Sequence, residues 1–116
     1  MTARKIFAKI SSRGDFMGEI EIGEYIVEWD DEKAEINYKK HGIHFEDAAL
    51  IFLDDNLIDD YDEEHSDEED RIKVIGRVGK ILVVIYTERG EKYRIISARN
   101  ATKTEKRRYY GQYDCL

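Results

Sequence analysis

The chain has 116 residues, 41% of them hydrophobic, with one cysteine, no proline and a formal net charge of −7 at pH 7. That length suits a single domain with one modest core. The lone Cys115 can build neither an internal disulfide nor a cysteine-rich zinc site, and no apolar run approaches the roughly 20 residues needed to cross a bilayer, so a soluble intracellular protein is expected.

Residues 1–24 begin without a clear period, and KIFAKI is not followed by the long apolar region of a signal peptide. A loose arm is expected before EIEIGEYIVEW, where Ile20, Ile22 and then Tyr25, Val27 and Trp29 alternate on a two-residue repeat, reading as a strand bulged at Gly23. Asp30 or Asp31 then offers an N-cap for EKAEINYKKHG, with Ala34, Asn37, Tyr38 and His41 at helical spacing and Gly42 as a left-handed stop. HFEDAALIFL, with Phe45, Ala48, Ala49 and Phe52 on one face, predicts a second helix.

Residues 54–70 carry 11 acidic groups among 17 and read as a short strand followed by an acidic loop. Three Val-, Ile- and Tyr-rich runs follow, RIKVIGR, KILVVIYTE and KYRIISAR, separated by glycine turns short enough for hairpins. Thr102 and Glu105 have capping-box spacing and open a last helix over about residues 103–112. The order of elements predicts an α+β fold: an antiparallel sheet with two N-terminal helices and one C-terminal helix.

Net charge conceals a division along the chain. Residues 1–70 hold 7 Lys/Arg against 22 Asp/Glu, whereas residues 71–116 hold 12 against 4. The acidic half is thus −15 and the basic half +8, an asymmetry that points to a polyanion-binding surface.

No metal or cofactor is expected. The acidic loop lacks the glycine and spacing of an EF-hand, and His41, His44 and His65 do not form an HExxH pair. The glycines Gly76, Gly79 and Gly90 sit in hairpins instead of opening a helix, so no phosphate loop is present, and the serines lack local His and Asp partners. What remains is an arginine constellation: Arg71, Arg77, Arg94 and Arg99 on adjacent strands, with Arg107 and Arg108 on the last helix. Guanidinium stays charged and its planar fork matches phosphate oxygens, so their convergence would make a phosphate clamp. Strict alternation along residues 92–99 sends Arg94 and Arg99 to opposite faces of the sheet.

Four segments in order, WDDEKAEINYKKHGIHFEDA (29–48), HSDEEDRIKVIGR (65–77), ILVVIYTERG (81–90) and RIISARNATKTEKRRYY (94–110), resemble the BrnT family of bacterial toxins. The resemblance covers about residues 25–110 and divides the chain into an arm or extension over 1–24 and one toxin domain over 25–116. It implies a RelE-like fold in the bacterial cytoplasm and an endoribonuclease that arrests translation. It also implies a BrnA-type antitoxin partner, binding of operator DNA only through the antitoxin complex, and assembly as a homodimer or a heterotetramer with the antitoxin. Membrane association is not implied.

On that resemblance the expected chemistry is metal-independent attack of a ribose 2′-hydroxyl on the adjacent phosphate, which DNA cannot undergo. Arg77 and Arg99 are the expected clamp, Arg71 a supporting cation, His41 or Glu69 the proton acceptor, and Tyr109 a proton donor or base-stacking ring. Lys40, Arg94, Lys103, Arg107 and Arg108 are the expected further RNA contacts. The competing reading is a binding module whose basic sheet face holds nucleic acid or an acidic protein without cutting it.

Overall fold

The protein is described by a computed structural model that covers residues 3–5, 9–10, 16–59 and 70–112. Glu69, His65 and Cys115 lie outside the described residues. Eight strands form one sheet: β1 (Ala3–Lys5), β2 (Lys9–Ile10), β3 (Phe16–Ile22), β4 (Tyr25–Asp30), β5 (Ile58–Asp59), β6 (Ile72–Val78), β7 (Lys80–Arg89) and β8 (Lys92–Asn100). The spatial order is β1-β3-β4-β8-β7-β6-β5, with β2 also pairing β3. The helices are α1 (Asp31–His41), α2 (Phe45–Ala48) and α3 (Lys103–Gly111), and a 3-10 turn (Ala49–Leu53) follows α2.

Several expectations are corrected here. EIEIGEYIVEW is not one bulged strand: it folds back as the β3–β4 hairpin, with Ile22 opposite Tyr25 and Gly23 at φ 59° in the turn, a left-handed conformation that glycine adopts without a Cβ penalty. Residues 16–22 are consequently part of the sheet, and Met17, Ile20 and Ile22 are buried, so the arm expected over 1–24 contains a core strand. The sheet is also mixed instead of antiparallel, because β4 and β8 run parallel through Ile26–Lys92, Val27–Tyr93 and Glu28–Arg94. Parallel neighbours need a long crossover, and everything from α1 to β7 supplies it. The single predicted second helix is likewise divided, into α2 and the 3-10 turn.

One face of the sheet carries the larger core. Trp29, Phe45, Ile51, Val74, Leu82 and Ile95 are buried there, together with Ile22, Val27 and Val84, beneath α2 and the 3-10 turn. Full burial of an aliphatic or aromatic side chain is favourable by about 1.5–3 kcal/mol. Gly18 lies opposite Trp29, and a Cβ at that position would fall 2.2 Å from the indole nitrogen, so only glycine admits the ring. On the other face a smaller cluster of Ile75, Ile81, Val83 and Ala101 is closed by Tyr109 of α3.

The termini of α1 follow expectation. Asp30 Oδ1 accepts from the Lys33 amide at 3.0 Å, and Gly42, at φ 71°, returns its N–H to Tyr38 O at 2.7 Å. Its attachment does not follow expectation, because Asn37 is the one buried residue of the helix and Tyr38 points outward, stacked on His44 with ring centroids 4.0 Å apart. The Asn37 carboxamide donates to Ala98 O at 2.9 Å and Ile43 O at 3.2 Å, and its Oδ1 accepts from the Ala98 N–H at 3.1 Å. β4 pairs β8 only as far as Arg94. Beyond that point Asn37 substitutes for the missing strand, satisfying both backbone groups of Ala98.

A β-bulge decides which arginines share a face. Ile85 pairs Ser97 whereas Tyr86 pairs Ile95, so Ile96 is the extra residue and the alternation of β8 shifts by one. Arg94 and Arg99 therefore lie on the same face, not on opposite ones. Directly paired residues show it: Arg94 stands opposite Thr87 and Arg99 opposite Val83, both on the side of β7 that faces α3.

Replacing Asn37 by leucine keeps its approximate volume but strands two backbone groups of Ala98, at about 1–3 kcal/mol each. Urea denaturation should show a loss of that order with an unchanged m-value. A loss below about 0.5 kcal/mol would mean that water or a shift of α1 replaces the carboxamide.

Candidate nucleic-acid interface

The face that carries α3 bears two clusters of ion pairs. Near the β3–β4 side, Lys92 Nζ reaches Glu19 Oε1 at 2.7 Å and Glu28 Oε1 at 3.8 Å, and Arg94 donates to Glu28 Oε2 through Nε at 2.8 Å and Nη2 at 2.7 Å. Glu19 and Glu28 stand opposite each other across β3 and β4. Two adjacent carboxylates on neighbouring strands repel, and the Lys92 and Arg94 charges offset that repulsion. Arg94 is therefore committed to Glu28.

The second cluster is centred on Glu105. Its Oε1 accepts from Arg99 Nη1 at 2.8 Å and the Thr102 amide at 2.9 Å, and its Oε2 accepts from Arg99 Nη2 at 2.9 Å and Lys73 Nζ at 2.9 Å. Thr102 Oγ1 returns the capping bond to the Glu105 amide at 3.2 Å. The capping box visible in the sequence is present, and the same carboxylate also joins β6, β8 and α3. The Arg99 hydrogen bonds hold the Glu105 carboxyl well below the usual carboxylate range; burial opposes this, while the Thr102 amide and Lys73 reinforce it. Reciprocally, donating these hydrogen bonds to Glu105 raises the pKa of Arg99, against the opposing effect of burial. A carboxylate in that state is a holder of cations, not a proton acceptor near neutral pH.

The far end of α3 is tied down by Asp54. Its Oδ2 accepts from the Tyr109 hydroxyl at 2.6 Å and from the Arg77 amide at 2.8 Å, and its Oδ1 accepts from the Asn56 amide at 2.9 Å. Burial works against ionisation of Asp54, but Tyr109, the Arg77 and Asn56 amides and the Arg77 charge together leave its pKa lowered. The Arg77 side chain turns to Tyr110: Nη2 donates to the hydroxyl at 3.0 Å and the guanidinium carbon is 5.7 Å from the ring centroid.

The expected clamp is thus divided. Arg77 and Arg99 share a sheet face but lie two strands and one pleat apart, about 12 Å at ordinary spacings, and α3 runs between them with Arg99 held at Glu105 and Arg77 at Tyr110. Lys73, absent from the sequence-derived set, is Arg99's neighbour instead, and its place beside Ile75 and Arg77 in KVIGR on an alternating strand was the available signal. Tyr109 is 1% exposed and donates to Asp54, so it serves neither as a stacking ring nor as a free proton donor; Tyr110, exposed at 43%, is the accessible ring.

Arg71 is half-buried immediately before β6. Lys103, Arg107 and Arg108 are exposed on α3, as is Lys106, and Lys40 is exposed in the last turn of α1. His41, half-buried, follows Asn37 by one turn and so lies on the stripe of α1 that faces β8, with no hydrogen bond or ion pair among the described residues. Among the described residues no group of three or more His, Cys, Asp or Glu could hold a metal ion, and no helix is long and apolar enough to cross a membrane.

The family model for the ribonuclease toxin BrnT of type II toxin-antitoxin systems matches residues 29–105. This chain belongs to the BrnT toxin family. Among solved structures, the crystal structure of the ribonuclease toxin BrnT of Brucella abortus is similar at TM-score 0.50 and 29% sequence identity, covering 65% of this chain and 94% of that one. No curated protein matches. The span matched by the BrnT model begins at Trp29, so the β3 strand that completes the hairpin lies outside it.

Both carboxylates that fasten α3 have folded-state pKa values below their ordinary ones. Their stabilisation is fully present above the unfolded carboxylate pKa, about 4, and is lost as pH falls through that value towards the folded one. Urea-unfolding stability between pH 7 and pH 3 should fall less steeply below about pH 4.5 in Glu105→Gln than in the parent. Parallel profiles would contradict a link between Glu105 ionisation and the docking of α3.

Proposed function

We propose that this chain is a metal-independent endoribonuclease, the toxin of a type II pair, with its reaction centre on the open sheet face beside α3. The observation that carries the reading is the pair of cations, Lys73 and Arg99, held side by side on Glu105. Around that pair, Arg71 just before β6 and the α3 side chains Lys103, Lys106 and Arg107, on the side of the helix away from Glu105, have no carboxylate partner among the described residues. Cations already oriented by a common carboxylate can meet a phosphate without reorganising, the condition under which charge stabilisation is most effective.

The 2′-hydroxyl attacks the adjacent phosphorus, the bond to the 5′-oxygen breaks, and a 2′,3′-cyclic phosphate and a 5′-hydroxyl result. Arg99 and Lys73 stabilise the negative phosphorane. Glu105 fixes both and takes no proton. His41 is proposed as the proton carrier because it is on the β8-facing stripe of α1 and has no partner among the described residues; Glu69 is the alternative acceptor. Arg71, Lys40, Lys103, Arg107 and Arg108 are proposed to contact the RNA backbone, with Arg94 confined to its ion pair.

A RelE-like fold, bacterial cytoplasmic location and a BrnA-type antitoxin complete the proposal. The antitoxin would act by covering the cationic face, and its complex with the toxin, as a heterotetramer, would bind operator DNA that this acidic chain alone does not.

Labelled RNA incubated with the purified protein in EDTA should be cut to 2′,3′-cyclic or 3′-phosphate ends, DNA should remain intact, and co-purified antitoxin should protect the RNA. Arg99→Ala should slow cleavage at least about tenfold, since loss of one charge contact to a transition state costs about 2.7–4 kcal/mol. RNA that is bound but never cut would favour the binding-module reading, and cutting only with added Mg²⁺ would sink the mechanism.

A further inference from the structure

Tyr110 is an exposed ring that does not move freely. Arg77 donates to its hydroxyl at 3.0 Å and stacks within 5.7 Å of its centroid, and Tyr109 meets it edge-on at 5.5 Å and 83°. Both braces return to one carboxylate, because Asp54 Oδ2 accepts the Tyr109 hydroxyl and the Arg77 amide. Immobilising a side chain that remains 43% exposed loses rotamer freedom without the compensation of full burial. Such an arrangement suits a ring that must be ready to meet something flat.

The surroundings specify what that is. On α3 the spacing of Lys103, Lys106, Arg107 and Tyr110 puts all four on the outer side, opposite Glu105 and Tyr109. Lys103, Lys106 and Arg107 are exposed and have no partner among the described residues. A fixed ring beside unpaired cations has the make-up of a single-strand platform, in which cations follow the phosphates and the ring takes the face of a base. An acidic peptide would use the cations and leave the ring unused, and a duplex would keep its base faces stacked inside.

We propose that Tyr110, braced by Arg77 and Asp54, is a nucleobase-stacking platform for single-stranded RNA, and that Lys106 and Arg107 hold the phosphates beside the stacked nucleotide. Tyr110 follows Glu105 by five residues, about 7.5 Å along the helix axis, so the platform addresses a nucleotide flanking the one whose phosphate meets Arg99. It governs which single-stranded segment is presented and takes no part in bond breaking. The inference rests on the ribonuclease reading, and it changes the part played by Arg77 from phosphate clamp to brace.

The test uses the full chain and a 2′-O-methyl RNA oligonucleotide carrying 2-aminopurine, which cannot be cut by 2′-hydroxyl attack and loses fluorescence when its base stacks. Wild type should bind and quench it, and Tyr110→Phe should retain most of the quench. Tyr110→Leu should abolish the quench and weaken binding roughly fivefold or more with an unchanged melting temperature. Lys106→Ala with Arg107→Ala should weaken binding and flatten its salt dependence while the quench at saturation persists. If wild type cuts ordinary RNA but Tyr110→Leu binds and quenches like wild type, the platform is wrong and the ribonuclease reading stands. If wild type neither cuts RNA nor binds the oligonucleotide, both are overturned.

Discussion

Glu105 accepts four hydrogen bonds from three directions, and much of this molecule's functional face depends on them. Without the carboxylate, Lys73 on β6 and Arg99 on β8 would face each other across β7 as two like charges, the Thr102 amide at the start of α3 would lose its acceptor, and the start of the helix would lose its tie to the sheet while its far end kept the Tyr109–Asp54 and Arg77–Tyr110 bonds. A buried ion pair is weak evidence of stability in itself, because desolvation offsets much of the Coulomb gain. Its value here is geometric. The carboxylate converts two flexible cations into a fixed pair beside an open surface, and it does so with groups that already form the helix cap.

The same logic explains how an acidic chain can present a cationic surface. Carboxylates on this face are largely consumed internally, with Glu19 and Glu28 facing Lys92 and Arg94 and Glu105 facing Lys73 and Arg99. What remains outward on α3 is cationic. Field lines from Lys103, Lys106 and Arg107, which have no partner among the described residues, extend over roughly 8–10 Å at ordinary ionic strength.

Much of the architecture was legible because it is local. The caps of α1 and α3, the hairpins of β6, β7 and β8, and the α+β class all follow from residue spacing, from Asp30, Gly42 and Thr102 with Glu105, and from alternating Val and Ile. Pairings between distant segments were not legible. Nothing in EIEIGEYIVEW distinguishes a bulge from a hairpin until the core offers both halves a face, and no local pattern announces that β4 runs parallel to β8. The bulge at Ile96 had the largest consequence for the site: one unpaired residue moved Arg94 onto the face of Arg99, which strict alternation forbids. That Tyr109 is buried and Tyr110 exposed was not legible, because the two differ only in which side of α3 they occupy, and that depends on where Glu105 fastens the helix. Asn37, on a stripe that looked like an ordinary helix face, could not be recognised as a strand substitute without knowing that β4 stops short.

The central claim, that Glu105 couples α3 to the two cations, is tested most directly by a double-mutant cycle of Glu105→Gln and Arg99→Gln, with unfolding free energy from urea titration measured for all four proteins. The account predicts a coupling of about 0.5–3 kcal/mol, with Arg99→Gln costing much less once Glu105 has lost its charge. Additivity within about 0.3–0.5 kcal/mol would mean that the two residues act independently, and the organisation of the site around Glu105 would be wrong.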